Sequence, residues 1–367
     1  MQILSAALLQ QVARIFCAWG MSEEDAAVVA DILVETDLRG IDSHGVSMLP
    51  MYEQMVAAGT LNMRPQATVE RDTPVLALIN ADAGIGHPIA RRAMTMACDK
   101  AALNGIGVVS VYNSHHFGAA GIYAEMAAAR GLLGIITSSA RTVTVLPTRG
   151  SVPMLGTNPI AFAAPAARNP PFLLDMATST VAVNKVKVYA LNGKPLPTGW
   201  VVDGQGQFVT DAELGLRLCV EQVSGGLLPL GGGTETGGHK GYGLAMLAQI
   251  LGSTLAGGSF SPLRNKTQGG KVPDNIGHFC MAISPTAFRQ KGAFEEDLDA
   301  IIDTLHGMPC SHPDEPVQVA GDPERECRSR RAVDGIPMPE SLLEQLRAVA
   351  RRASVPYDME ASTAGVV

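Results

Sequence analysis

Gly84-Ile85-Gly86-His87-Pro88-Ile89-Ala90 is the stretch on which the fold turns. It follows Val75-Leu76-Ala77-Leu78-Ile79, an apolar run that reads as a strand, and it opens a helix expected over 88–104. The spacing is G-x-G-x-x-A, with which a dinucleotide-binding turn lets a helix N-terminus meet a pyrophosphate. Such a unit also needs an acidic residue at the end of the next strand to hold a ribose hydroxyl. Here the next strand, Gly107 to Val111, runs into Tyr112-Asn113-Ser114 instead. The fingerprint is weak on its own, so a Rossmann unit is rejected and the chain is read as mixed α/β.

On the N-terminal side, Leu8, Leu9, Val12, Ile15 and Phe16 recur at helical spacing, with Ser5 as the expected cap and Gly20 beyond the end. Ser22-x-x-Asp25 resembles a capping box for a second helix, whose stripe of Ala26, Val29, Ile32 and Leu33 runs toward Gly40. On the C-terminal side, 118–130 reads as an alanine-rich helix, and Leu133 to Thr137, Gly156 to Ala164 and Pro171 to Met176 read as extended runs. A glycine-dense stretch over 225–238 precedes a helix expected from Gly241 to Leu255. Phe279 to Ile283 is a further strand, and Glu295 to Leu305 and Pro339 to Ala353 are helices, with a mobile tail expected after Val355.

The 367 residues, 46% hydrophobic and 17% charged, can bury a sizeable core. A net charge of −7 supplies no basic field, which argues against nucleic acid or an anionic membrane surface as partner. The apolar stretch Leu244 to Leu255 contains Gln249 and is shorter than the roughly 20 residues of a spanning helix, and the N-terminus lacks a basic region and a cleavage site. Cys17, Cys98, Cys219, Cys280, Cys310 and Cys327 are scattered without C-x-x-C spacing, so reduced thiols and a cytoplasmic location are expected.

Four segments carry candidate chemistry. Arg39-Gly40-Ile41-Asp42-Ser43-His44-Gly45 follows a helix end; it reads equally as a plain C-cap or as an acid–base site in which His44 exchanges a proton and Ser43 hydrogen-bonds a carbonyl or carboxylate. Asn113-Ser114-His115-His116-Phe117-Gly118 follows a strand, and adjacent histidines on extended backbone face opposite ways, which argues against one shared zinc ion. Asp175, at the end of Leu173-Leu174, reads as a buried acid partner for a histidine or as a turn residue. Gly238-His239-Lys240-Gly241-Tyr242-Gly243 opens a helix whose exposed N–H groups, with Lys240, suit a phosphate, or is a glycine-rich helix entry with a solvated lysine.

Together these segments resemble the type-2 malate/L-lactate dehydrogenase family, which includes ureidoglycolate and sulfolactate dehydrogenases, 2,3-diketogulonate reductase and piperideine/pyrroline-2-carboxylate reductases. The resemblance runs from about Met21 to Ala353 and rests on six ordered motifs: the Arg39 to Gly45 and Asn113 to Gly118 segments, Leu155-Gly156-Thr157-Asn158-Pro159, Leu174 to Ser179, Gly238 to Gly243, and Asn275-Ile276-Gly277-His278-Phe279. It implies a non-Rossmann, mixed-sheet domain that binds NAD or NADP, a helical domain formed by both chain ends, and a homodimer with its site in a cleft. It further implies that Ser43 and His44 belong to the substrate and proton-transfer site, with His44 the first acid/base candidate and His116, beside it, the second, and that Ser138 or Ser139, Asp175-Met176-Ala177, Lys240-Gly241 and Ala320-Gly321-Asp322 line the cofactor.

On this reading 1–75 and 335–355 form the helical part, 76–120 a substrate-site segment, 121–285 the cofactor-binding domain and 286–334 a return segment. One departure bears on substrate. The family often carries an arginine where this chain has Met48, and Met51 stands at another commonly basic place; Gln249 replaces an acidic residue. Arg141 and Arg149 are the expected replacements for a carboxylate grip, and Thr157 completes the substrate-side candidates. The expected activity is hydride transfer between a nicotinamide and a small 2-hydroxy/2-keto acid. Alternatives are reduction of a cyclic imino acid and a catalytically silent cofactor-binding protein, and no metal is expected.

Overall fold

The computed structural model describes residues 1–268 and 272–359. Its centre is a seven-stranded sheet. Across the sheet, the order is β2 (Thr68–Asp72), β3 (Leu76–Gly84), β4 (Ile106–Ser114), β10 (Ile276–Ile283), β5 (Leu133–Ser138), β6 (Ile160–Ala164) and β7 (Phe172–Met176). β3 and β4 run parallel, and every other neighbouring pair is antiparallel. Consequently β3, β4, β5 and β7 all end at one edge of the sheet, where β6 and β10 begin. That edge collects Gly84, His115 and His116, Ser138 and Ser139, Thr157 and Asn158, Met176 and Ala177, and Asp274 and Asn275. The mixed sheet agrees with the expected fold class.

Helices α4 (Gly86–Asn104) and α5 (Gly121–Ala128) cover the sheet, burying Met94, Ala97 and Tyr123 against Ile79, Val109, Val111, Ile136 and Cys280. Fully burying each large apolar side chain contributes roughly 1.5–3 kcal/mol. α5 starts at Gly121, later than expected, because the chain first turns through Gly118 at φ 80°.

A second core joins α1 (Ser5–Ala18), α2 (Glu23–Leu38), α3 (Leu49–Ala57) and α12 (Glu340–Arg352) through Leu8, Phe16, Leu33, Tyr52 and Leu346. A two-stranded pairing of β1 (Gln2–Ile3) with β11 (Ile336–Pro337) ties the chain ends together. Ser22 accepts the Asp25 N–H at 3.2 Å, as its spacing suggests. Ser5 does not cap α1: it is the first helical residue, and Leu4 precedes it with no side-chain bond. Nor is 355–359 a loose tail. The Gln11 side chain donates to the Pro356 carbonyl and accepts the Asp358 N–H, and Met359 is buried; the later tail residues lie outside the described ones.

A third, smaller core, with Val145, Leu155, Val186, Leu196, Leu227 and Ala245, gathers α6 (Val183–Leu191), α7 (Ala212–Glu221), β8 (Val201–Val202), β9 (Gly226–Leu227) and α8 (Gly238–Gly252). α9 (Ser261–Gln268), α10 (Ala293–His306) and α11 (Asp322–Asp334) complete the elements. α6 and α7 do not stand out in the sequence, since α6 is rich in β-branched residues that lower helix propensity. Among the described residues no single helix is long and apolar enough to cross a membrane.

Candidate active site

α2 ends in a tight stop. Gly40 N–H donates to the Asp37 carbonyl and Ile41 N–H to the Thr36 carbonyl, with Gly40 at φ 80°, the geometry of a Schellman cap. The capped end leads into a turn closed by His44 N–H on the Ile41 carbonyl. Beneath that turn Asp37, buried, accepts the Val46 N–H at 2.9 Å. A Cβ at Gly45 would overlap the Asp37 carboxylate, so only glycine fits there. Arg331 of α11 donates to the Asp37 carbonyl and pairs with Asp42, clamping the turn from the return segment. Burial pushes the Asp37 carboxyl up to about 7.

The second half of the site comes from the end of β4. Here the Gly84–Ala90 fingerprint finds its use. A Cβ at Gly86 would overlap the His115 carbonyl, and the Gly86 N–H donates to the His116 carbonyl at 2.9 Å. The close approach that such a turn makes to a pyrophosphate elsewhere is made here to the histidine segment.

His115 and His116 then diverge. His115 is buried, with Nδ1 3.1 Å from Asp274 and Nε2 2.9 Å from the Thr60 carbonyl. Burial raises the Asp274 carboxyl, but the His115 hydrogen bond and the charges of Arg141 and Arg264 outweigh it and hold the group below its usual range. His116 turns the other way and stacks on His44, centroids 5.5 Å apart and planes 28° apart. Nδ1 of His44 meets the Ser43 hydroxyl at 2.8 Å, and Nδ1 of His116 meets the Tyr52 hydroxyl at 2.7 Å. Each ring is tied from behind, leaving Nε2 without a partner among the described residues. Burial lowers His44, and burial with the neighbouring His44, His87 and His278 holds His116 well below the ordinary histidine range. Both rings are neutral near pH 7, able to accept a proton.

The other candidates separate. Asp175 is not a histidine's partner: its carboxylate accepts the Gly121 N–H at 2.6 Å, and burial raises it to about 6. Arg141 is brought in, its Nε 3.1 Å from Asp274. Arg149 is exposed at φ 64°, and no hydrogen bond or ion pair ties it to the histidines. Met48 and Met51 pack on the helical core. The Thr157 carbonyl is spent on Thr178. Ser138 is committed to His278 Nδ1 and the Gly277 carbonyl, whereas the Ser139 hydroxyl is buried with no partner among the described residues.

The α8 entry differs from the expected phosphate cradle. Its glycines let the helix abut Leu230 and Gly232, and the Gly238 and Lys240 N–H groups are taken by the Gly233 and Gly237 carbonyls; the Lys240 side chain stays exposed. Leu173 N–H donates to the Ala320 carbonyl, binding the Ala320-Gly321-Asp322 turn to β7. Beside it opens a crevice of about 300 Å³ lined by Arg39, Glu125, Leu173, Gly321 and Arg325. Asp322 itself is spent on Val319 N–H, His306 and Arg325.

Three residues of the site escape sequence reading. Tyr52 sits on a nine-residue helix marked only by Pro50 at its first turn and by Leu49, Tyr52 and Met55 on one side. Asp274 reaches His115 across 159 residues, and no local signal could announce it. Asp37 looks like one more polar residue of a helix end.

The family model described as malate/L-lactate dehydrogenase matches residues 3–347. The chain belongs to that family. Malate dehydrogenase of Pyrococcus horikoshii is 40% identical over 352 residues, 95% of this chain and 94% of that protein. L-sulfolactate dehydrogenase of Methanothermobacter thermautotrophicus is 33% identical over 349 residues, 95% and 96% of the two chains. Among solved structures, malate dehydrogenase from Entamoeba histolytica superposes with a TM-score of 0.91 at 29% identity, covering 97% of this chain and 99% of that one. The Δ1-piperideine-2-carboxylate reductase from Pseudomonas syringae pvar. tomato gives 0.81 at 29% identity, covering 95% and 100%.

As a malate/L-lactate dehydrogenase family member, the protein is an oxidoreductase acting on a CH–OH group with NAD or NADP as cofactor. The residues present fit such a cofactor. The sheet edge from β4 to β7 crosses four strand spacings, about 19 Å, room for an elongated molecule. The orphaned Ser139 hydroxyl lies buried just after the end of β5, and an unsatisfied buried hydroxyl there is suited to an incoming polar ligand.

Proposed function

We propose that the protein interconverts a small 2-hydroxy acid and its 2-keto acid, with the stacked His44–His116 pair moving the proton. The observation that carries this is the stacked His44–His116 pair, both rings anchored at Nδ1 and both Nε2 atoms unclaimed. The bound nicotinamide supplies or takes the hydride. As charge develops on the substrate oxygen, a ring nitrogen held within reach delivers or removes the compensating proton. Ser43 steadies His44 and offers its hydroxyl to the substrate. Ser139, Asp175-Met176-Ala177, Lys240 and the Ala320-Gly321-Asp322 turn border the cofactor, and Arg141 grips the carboxylate in place of an arginine at Met48. A homodimer is part of this reading, supported by Leu247 and Ile250, exposed three residues apart on α8.

The experiment is reduced-cofactor oxidation, with NADH and NADPH separately, across a panel of 2-keto acids. Turnover of at least one keto acid is expected, and silence across the panel, despite cofactor binding, overturns the assignment. A second reading, reduction of a cyclic imino acid, is favoured by Met48, which puts an apolar thioether where a guanidinium is common. Turnover with pyrroline- or piperideine-2-carboxylate but with no keto acid selects it.

A further inference from the structure

His87 is the residue that the proposed chemistry leaves unexplained. It lies one position into α4, fully buried, and neither ring nitrogen has a hydrogen-bond partner among the described residues. Burying an unpaired imidazole costs stability that a leucine or methionine in the same hole does not. The ring sits where a polar group has consequences. Tyr52 meets it edge-on at 5.8 Å between centroids, His116 lies 6.3 Å away, and a Cβ on Gly118 would stand 3.0 Å from its Nε2.

The proton count on His116 shows what is missing. If its Nε2 exchanges a proton with substrate, the ring cycles between a neutral form and an imidazolium, and in both its Nδ1 carries a proton. Nδ1 then donates to the Tyr52 oxygen, and the Tyr52 hydroxyl proton must go elsewhere. The Gly118 N–H, 3.4 Å from the same Nδ1, favours the opposite tautomer, with Nδ1 bare. Something must tip the balance.

We propose that His87 accepts a hydrogen bond from the Tyr52 hydroxyl and so acts as a positioning residue that holds His116 in the Nδ1–H tautomer, presenting Nε2 as the working nitrogen. The inference rests on the acid–base reading of His116. The contact requires the His87 ring to turn about its terminal torsion, a broad and soft degree of freedom, because neither ring nitrogen is bonded as the ring stands. Burial, with His278 nearby, pushes His87 down to about 3, so the ring stays neutral and keeps a lone pair to offer. The Gly84-x-Gly86 spacing serves the same end, since it brings the start of α4 under the histidine segment.

The test uses ring-nitrogen NMR on the intact protein together with turnover. In the wild type His116 is expected as the Nδ1–H tautomer and His87 as a neutral ring with one nitrogen shifted by an accepted hydrogen bond. His87→Leu should melt no lower than the wild type, turn His116 to the Nε2–H tautomer and lower kcat about tenfold or more while leaving the cofactor KM unchanged. His87→Gln, whose amide oxygen can accept, should restore most of the rate. A wild-type spectrum with His116 as Nε2–H overturns the proposal without any variant, as does a His87→Leu protein with unaltered tautomer and kcat. The NMR result needs no substrate, so a failed keto-acid panel beside the expected tautomers would sink the functional reading and leave this one standing.

Discussion

Gly86 donates its backbone N–H to the carbonyl of His116 at 2.9 Å, so α4 begins against the strand end that carries the candidate acid–base ring. This contact sets the height of the site floor. Gly86→Ala places a methyl group into the His115 carbonyl and the Phe117 side chain, both parts of a packed segment that cannot swing aside. Overpacking of this kind costs about 1–3 kcal/mol. Urea unfolding should show that loss, together with a drop in kcat, because the shift moves His116 itself. A variant as stable as wild type would mean that the close approach is slack.

Tyr52→Phe tests the anchor of His116. The ring fills the same buried space, so the fold should survive with a loss near the ~1 kcal/mol of one hydrogen bond. Without the hydroxyl at 2.7 Å the His116 ring loses its orientation. Steady-state kinetics should show kcat reduced about tenfold to a hundredfold, with the cofactor KM little changed.

Asp37 ties the Ser43–His44 turn to pH. Its carboxyl is raised to about 7, chiefly by burial, above its unfolded value. The folded protein therefore holds this proton where the unfolded chain has lost it, so the linked stability is complete below about pH 4 and drains away as pH rises through about 7. Asp37→Asn keeps an acceptor for the Val46 N–H and removes the titration. Unfolding free energy measured at intervals across that range should fall with pH less steeply in the variant, by about one proton per molecule at most. An unchanged slope would place the titrating group elsewhere.

How much of this was written in the sequence depends on how far apart the partners lie. Ser22 capping Asp25 and Gly40 ending α2 are contacts within a few residues, and local patterns announce them. The alternation of an extended chain foretold that His115 and His116 would part company. Ser5 was misplaced by a single residue, which is enough to turn a cap into a first-turn position. The reach of Asp274 to His115 spans 159 residues and that of Arg331 to the Asp42 turn 289, and only the folded chain brings such groups together. Asp175 was legible as a buried acid but not as the acceptor for the α5 N-terminus, because that role depends on where α5 starts.

Acid should unfold the protein through its neutral histidines. His87 and His278 are both pushed down to about 3, by burial above all, while an unfolded histidine titrates near pH 6.5. A depressed folded value gives stability that is present above about pH 6.5 and lost as pH falls toward 3. His278 accepts or donates at Ser138 and Ser114 through both nitrogens, so its replacement by glutamine keeps some of that bonding. Below pH ~6, the slope of unfolding free energy against pH should drop by about one proton in His278→Gln. Equal slopes would count against a neutral His278 in the native state.

Asp274 ties two guanidinium groups to the histidine network, those of Arg141 and the buried Arg264, and of the two Arg141 is the one exposed to a ligand. Its Nε is engaged there, which aims the fork and leaves the terminal nitrogens for a ligand carboxylate. Met48, packed on the helical core, offers no competing charge. Replacing Arg141 with methionine should therefore weaken keto-acid binding more than chemistry. The expected result is a substrate KM raised about tenfold or more, a kcat changed by less, and a cofactor KM close to wild type. Equal loss in kcat with an unchanged substrate KM would assign Arg141 to holding Asp274 and His115 in place, and would leave the carboxylate to another group.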